Sequence, residues 1–172
     1  MSKTFTAPFA QAPKTASAVA TAASAELATD APTNTVLLCT AGADGALLTR
    51  LSAIPRATVT ASSLLLWVSL DGGTTKRLVD SVLMSAHTVA ATTAIPVTAF
   101  SRYSEDAPER LQAGASLYVG SAVALTGGIV FTAEYTDFES CSATTPPGLN
   151  AIPRPSRGAL TCRAGFRWWA TA

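Results

Sequence analysis

The sequence predicts an all-β protein: an antiparallel β-sandwich or jelly roll of about eight strands with extended N- and C-terminal arms. Apolar residues alternate with small or polar ones through the middle of the chain, which is the pattern of strands with one buried face. Turn-forming Gly and Asp residues separate these segments at intervals of about 8–15 residues. A sustained 3.6-residue period, which would indicate helices, is missing.

The first predicted strands are Val36–Thr40 and residues 46–54, with a turn over 41–45 between them. The alternation assigns three residues of the second strand to its buried face: Leu47, Leu51 and Ala53.

Ser63–Leu70 is the most hydrophobic segment and is expected to form a central strand. The turn at 71–73 returns the chain, so that Thr75–Met84 pairs with this strand as a hairpin. Val79 and Leu83 then lie on the apolar face of the second strand.

Two predictions cover residues 93–112. Thr93–Phe100 is expected to be an edge strand, because Pro96 cannot donate a ladder hydrogen bond. Asp106–Gln112 is the one segment expected to form a helical turn.

The uncharged run 111–133 is long enough to cross a bilayer. Its period is two, however, with a turn at Thr126–Gly128, so we interpret residues 117–136 as a β-hairpin and expect no membrane span. Ten residues are predicted to build the core: Leu38, Leu51, Leu64, Leu66, Val68, Leu83, Val119, Val123, Ile129 and Phe131.

The composition divides the chain into an extended N-terminal arm (1–30), a β-sandwich domain (31–139) and a basic, Pro-rich C-terminal tail (140–172). The arm is rich in Ala, Thr, Ser and Pro and has little to bury, so it is expected to be disordered alone. Residues 26–139 carry six basic and eleven acidic residues, whereas 140–172 carry four arginines and no acid. Basic arms on an acidic body suggest contacts with a neighbouring subunit.

Charged residues make up 13% of the chain, and the 34 Ala and 24 Thr residues are a third of it. Because so few charges leave little to keep an exposed surface soluble, this composition favours an assembly subunit. A net charge of +1 argues against a generic nucleic-acid binder. The first thirty residues lack the apolar centre of a signal peptide.

The cysteines Cys39, Cys141 and Cys162 form no C-x-x-C pair, so no zinc site is expected. Cys141 and Cys162 flank the Pro-rich segment and would pair only in an oxidising compartment; free thiols in a reducing cytoplasm are the commoner outcome.

Residues suited to catalysis are few. His87 is the single histidine, and no G-x-S-x-G sequence accompanies it. The one acidic cluster, Glu105, Asp106 and Glu109, lies beside Arg102 and Arg110 and is interpreted as a solvated ion-pair group.

The segment Asp71–Lys76 has the composition of a phosphate-binding loop without its spacing, and is interpreted as a hairpin turn. No enzymatic activity, cofactor or metal is therefore expected. The candidate binding residues lie in the tail, where arginine can pair with carboxylates and tryptophan can anchor a partner. They are Arg154, Arg157, Arg163, Arg167, Trp168 and Trp169.

The run Leu48–Pro96 (LTRLSAIPRATVTASSLLLWVSLDGGTTKRLVDSVLMSAHTVAATTAIP), with Gly114–Gly120 and Gly128–Tyr135, resembles small structural virion proteins of tailed bacteriophages. The resemblance covers residues 33–138. It implies a non-enzymatic β-sandwich, most directly a capsid decoration (cement) protein on the capsid exterior. Such proteins bind the major capsid protein and usually form trimers.

The expected function is thus stabilisation of a phage head, by a homotrimer made in the host cytoplasm that contacts neither nucleic acid nor membrane. A neck, tail or fibre component shares these features. A carbohydrate-binding sandwich is the alternative from another class, and it needs an exposed aromatic platform.

Overall fold

The computed structural model describes residues 9–139, and the side chains of 12–138. Nine strands and no helix form within this range. The strands are β1 (Phe9–Ala20), β2 (Val36–Thr40), β3 (Ala46–Pro55), β4 (Ser62–Ser69), β5 (Arg77–Met84), β6 (Thr98–Ala99), β7 (Glu109–Leu111), β8 (Ser116–Ser121) and β9 (Ile129–Glu139). No helix that could cross a bilayer is therefore found among the described residues.

The strands form two antiparallel sheets, consistent with the predicted β-sandwich. Sheet A has the order β1-β9-β3-β6, with β7 also paired to β3. Sheet B has the order β2-β8-β4-β5. One apolar cluster contains buried residues from both sheets. The all-β class is confirmed by the nine strands of the described chain. The jelly-roll strand order stays a prediction.

Seven of the ten predicted core residues are buried: Leu38, Leu51, Leu64, Leu66, Val119, Ile129 and Phe131. Val68 is half-buried and packs against the core. The predictions for Leu83 and Val123 were wrong, since these residues are 69% and 41% exposed. Val123 lies beyond the end of β8. Leu83 faces outward because a bulge at Val79 changes which residues of β5 face the core.

Bulges explain why alternation misassigned some faces. In β5 the pairing shifts at Val79, since Leu66 lies opposite Asp80 but Trp67 lies opposite Leu78. In β3 the shift falls between Leu48 and Arg50. Leu48 is consequently buried and Leu47 only half-buried, the reverse of the prediction. A bulge adds one residue to one strand and so inverts the period beyond it.

The predicted hairpin over 117–136 was wrong, although both its strands exist. β8 belongs to sheet B and β9 to sheet A, so residues 122–128 cross between the sheets. Two strands that face one core from opposite sides show the same alternation as a hairpin, because the period reports burial and not the partner strand. The β4–β5 hairpin was predicted correctly.

The segment between β5 and β8 is less regular than predicted. The expected edge strand over 93–100 is reduced to the two residues of β6, which follow Pro96. The expected helical turn over 106–112 was wrong, because Glu109–Leu111 pair with β3 as strand β7. The edge of β3 opposite β9 was available to these residues. Pairing with it overrode their local preference for a helical turn.

The N-terminal segment also differs from the disorder that its composition suggests. β1 pairs with β9 from Ala20 opposite Ile129 to Phe9 opposite Glu139. Backbone hydrogen bonds, rather than large apolar side chains, hold this strand, since its small residues Ala16 and Ala18 only partly contact the core.

Residues 21–35, here called the strap, lie against the outer face of sheet B. Ser24 N donates to Ser121 O (2.7 Å), and Lys76 N donates to Asp30 O (2.7 Å). A Cβ on Gly120 would lie 2.9 Å from Ser24 Cβ and 3.0 Å from Trp67 Cζ3. Trp67 is therefore fully buried, even though it alternates with the core residues of β4.

Candidate interaction surface

Strand β5 has one edge without a partner strand among residues 9–139. It lies at the end of sheet B and pairs with β4 alone. Leu78 and Val79 are each 38% exposed, and Leu83 is 69% exposed. An exposed, mostly apolar edge strand is a template for pairing with another chain.

Side chains occupy two backbone groups of β5. Arg102 Nη1 donates to Val79 O (3.3 Å), and Ser81 N donates to Asp80 Oδ1 (2.8 Å). Val79 is the bulged residue of β5 and has no partner in β4, so Arg102 satisfies its carbonyl. These two backbone groups are thus satisfied by exposed side chains, which a partner strand can displace.

The other long edge strand, β1, carries features that discourage pairing. Pro13 removes a backbone donor, and Lys14 places a charge on the strand. A pairing irregularity lies between Ala10 and Ala12. Natural edge strands use proline, lysine and bulges to prevent association.

Strand β5 also has a bulge, at Val79, and charges at Arg77 and Asp80. It lacks proline, however, and exposes three large apolar side chains where β1 exposes one, so it is the edge better suited to receive a partner.

An apolar groove of about 210 Å³ lies beside β5 and opens between the two sheets. Its floor includes Leu48 from sheet A and Leu66 and Leu117 from sheet B, all 1% exposed. Leu70, which is 63% exposed, and Val79 form part of its rim. The interior of the sandwich is therefore accessible from the side of β5.

The polar part of the groove is formed by residues 102–112. Arg102 Nη2 lies 3.4 Å from Glu109 Oε2, and its guanidinium lies 5.8 Å from the ring centroid of Tyr103. Arg110 lies 5.2 Å from the ring centroid of Phe138. Burial, with the negative charge of Asp80, raises the pKa of Tyr103 to about 12, so this tyrosine lines the groove as a neutral phenol.

The predicted ion-pair group is present only in part. Glu109 contacts Arg102, but Arg110 stacks on Phe138 and Asp106 is exposed. Glu105 lines a separate open depression of about 310 Å³ beside β3.

The segment Asp71–Lys76 forms the predicted hairpin turn. Both carboxylate oxygens of Asp71 accept from Thr75 N (2.9 and 3.0 Å), and Ser69 Oγ donates to Asp71 Oδ1 (2.8 Å). These hydrogen bonds hold the pKa of the Asp71 carboxyl well below its usual range. The turn therefore uses this carboxylate structurally.

His87 lies just beyond β5, where its backbone exchanges two hydrogen bonds with Val59 (2.9 and 3.0 Å). Its Nε2 is buried with no hydrogen-bond partner among the described residues. Within residues 9–139 there is no group of three His, Cys, Asp or Glu side chains that could hold a metal ion.

The aromatic side chains of the described body are largely buried. Trp67, Phe100, Tyr103, Phe131, Tyr135 and Phe138 are each at most 9% exposed. Tyr118 is half-buried and lies 4.9 Å from Lys76 Nζ, measured to its ring centroid. The described surface therefore offers no aromatic platform of the kind that a sugar-binding sandwich uses.

The six predicted binding residues, Arg154, Arg157, Arg163, Arg167, Trp168 and Trp169, lie outside the described residues. Sequence reasoning missed the β5 edge and its groove. The sequence signal for this surface lies in the segment Leu78–Leu83. Apolar residues there fall on both faces of the strand, and Asp80 is the one charged residue of the segment.

No protein-family model, curated protein or solved structure matches this chain.

Proposed function

We propose that the chain is a non-enzymatic virion structural protein of a tailed bacteriophage, and specifically a capsid decoration (cement) protein. In this proposal it stabilises the head from the capsid exterior by binding the major capsid protein. The observation that carries the proposal is a β-sandwich whose apolar edge strand and adjoining groove are open to a partner. Assembly subunits need such surfaces, whereas a free monomer normally blocks them.

Charge distribution supports assembly as well. Residues 26–139 have a net charge of −5, and residues 140–172 have a net charge of +4. Opposite charges on two parts of one chain favour head-to-tail contacts between copies, and subunits on a capsid lattice make such contacts. We therefore propose a homo-oligomer, a trimer, as the assembling unit.

Copy number in the particle tests this function. Quantitative mass spectrometry of purified particles from the encoding phage should give hundreds of copies, in a fixed ratio to the major capsid protein. A neck, tail or fibre component would instead give a small multiple of three, six or twelve. Particles that lack the chain would overturn the virion proposal altogether.

The tail is proposed to hold the subunit on the particle. Arg163 and Arg167 have no acidic neighbour within 140–172, so they can pair with carboxylates of a partner. The double variant Arg163→Glu with Arg167→Glu should attach to particles more weakly than the unmodified chain. The difference should shrink as salt is raised, because salt screens exposed charges. Attachment that is equally tight and equally salt-dependent would contradict this role.

A further inference from the structure

We propose that residues 160–169 of a second copy add as a β-strand along the free edge of β5 and insert an aromatic side chain into the adjacent groove. The inference rests on the proposed self-association, and it names the segment and the surface that join two copies. The partner is thus this same chain, recognised by main-chain pairing and by alternate side chains, as in other cases of strand addition.

The C-terminal segment has the sequence of a strand with one apolar face. Between Leu160 and Trp169 the chain reads LTCRAGFRWW. Alternate positions give an apolar series: Leu160, Cys162, Ala164, Phe166 and Trp168. The intervening positions include Arg163 and Arg167. This period of two is typical of a strand that buries one face and exposes the other.

The edge of β5 offers what such a strand requires. Its side chains are apolar and exposed at Leu78, Val79 and Leu83. Val79 O and Ser81 N are bonded to the side chains of Arg102 and Asp80. These side-chain bonds are exposed, so an incoming backbone can replace them at little cost.

The groove fits the apolar face of that strand. Its rim at Val79 belongs to β5 itself, so side chains on the inner face of an added strand lie over its opening. About 210 Å³ of space, with a leucine-lined floor, is suited to one aromatic ring. Arg102 and Arg110 at the opening can stack on an indole face. Phe166 and Trp168 are the two candidates for insertion.

Proline content favours a second copy over the same chain. Between Glu139 and Leu160 lie four prolines: Pro146, Pro147, Pro153 and Pro155. Proline favours the extended polyproline conformation, in which residues 146–155 cover about 30 Å. A stiff spacer favours contact with a neighbouring body over folding back on its own. Residues 26–139 of that neighbour carry a net charge of −5, which attracts the +4 of residues 140–172.

Disulfide trapping in the full chain tests the proposal directly. Cys162 belongs to the apolar series, so Val79→Cys in a Cys141→Ser background should form a disulfide with Cys162 of another copy under mild oxidation. Non-reducing electrophoresis should show a ladder of linked chains. The matched control is Val19→Cys on β1, since Val19 and Val79 are 39% and 38% exposed. It should give little ladder, and Cys39 is buried and should not react.

The alternative outcomes are distinct. A disulfide between the thiol introduced by Val79→Cys and Cys162 of the same chain, without a ladder, would show that the segment returns to its own groove and would overturn the second-copy assignment. Equal linking in the Val79→Cys and Val19→Cys variants would overturn docking at β5. If the chain is found on particles but forms no ladder, only this inference fails. If the ladder forms but particles lack the chain, only the virion proposal fails.

Alternation in the segment supplies a second readout. Trp168→Ala should weaken self-association about tenfold in light scattering, because it removes an aromatic ring from the groove face. Trp169→Ala removes the same side chain from the opposite face and should change self-association much less. Equal effects would contradict the strand register.

The edge itself can be blocked in the same assay. Leu83→Lys places a charge on β5 and should also reduce self-association. Leu37→Lys, at a 49% exposed leucine of β2, is its control. If the two lysine variants associate equally, then β5 is not the docking edge.

Discussion

Lys14 on β1 donates to the buried carboxylate of Asp137 on β9, within one chain. The Asp137 side chain is 8% exposed and that of Lys14 is 49% exposed. Gly42 N, in the turn before β3, donates to the second carboxylate oxygen (3.1 Å). One acid thus joins the edge strand, its neighbour and a turn. Lys14, a basic residue of the N-terminal arm, therefore pairs inside its own sheet.

Asp137→Ala should lower the free energy of unfolding by about 1–3 kcal/mol, because the N–H of Gly42 and the ammonium of Lys14 both lose their acceptor. Denaturant unfolding monitored by circular dichroism measures this loss. The control is Glu134→Ala, which removes the pair with Arg50 at 3.4 Å, where the side chains are 47% and 59% exposed. That change should cost less than about 1 kcal/mol, so equal losses would contradict a structural role for Asp137.

Leu66→Ala should lower the free energy of unfolding by about 2–5 kcal/mol, since Leu66 is 1% exposed and its truncation leaves a cavity in the core. Leu83→Ala makes the same change at a 69% exposed position and should cost below about 1 kcal/mol. The pair of variants therefore tests the register of β4 and β5. A larger loss of unfolding free energy for Leu83→Ala than for Leu66→Ala would show that the opposite faces of β4 and β5 are buried in the core.

Much of the fold could be predicted from the sequence because burial leaves a pattern in it. The bounds of β2 and the β4–β5 hairpin follow directly from apolar runs and turn residues. The bulges at Thr49 and Val79 could not be predicted, since one extra residue in a strand leaves no compositional mark. Each bulge inverted the faces of the residues beyond it.

The assignment of strands to sheets was less predictable. β8 and β9 read as a hairpin because both bury alternate residues, yet they lie in different sheets. Likewise, the place of β1 in sheet A was not predicted, because its small residues give no alternating apolar pattern. Backbone pairing with β9 is what holds this strand in the sheet. The candidate surface at β5 was missed for a related reason: which strand is left at an edge depends on the whole topology.

Gly45→Ala should destabilise the protein more than Gly72→Ala. Both glycines have positive φ, 93° and 75°, so both substitutions share the cost of placing an L-residue there, about 1–2 kcal/mol. A Cβ at Gly45 would also lie 2.5 Å from Leu111 O, whereas at Gly72 nothing lies within 4 Å. Thermal unfolding of the two variants measures the difference. Similar melting temperatures would contradict the close approach of Leu111 to the turn.

The thiol of Cys39 should make the protein less stable in alkali. Cys39 is buried, and burial together with the negative charge of Asp137 raises its pKa from 9.0 to about 12. Between these values the unfolded chain has released the thiol proton and the folded chain still holds it. The unfolded state then binds fewer protons, so the free energy of unfolding falls as pH rises above about 9.

Denaturant unfolding between pH 8 and 10 measures this effect in a background with Cys141→Ser and Cys162→Ser. Cys39→Ala should show a shallower decline of stability over that range, because it removes the proton that is lost on unfolding. The comparison uses slopes, since the substitution also changes core packing and lowers stability at every pH. The upper limit of pH 10 leaves out most of the contribution of Tyr103, whose pKa is raised from 10.0 to about 12. The same slope with and without the thiol would show that Cys39 ionises in the folded protein as readily as in the unfolded chain.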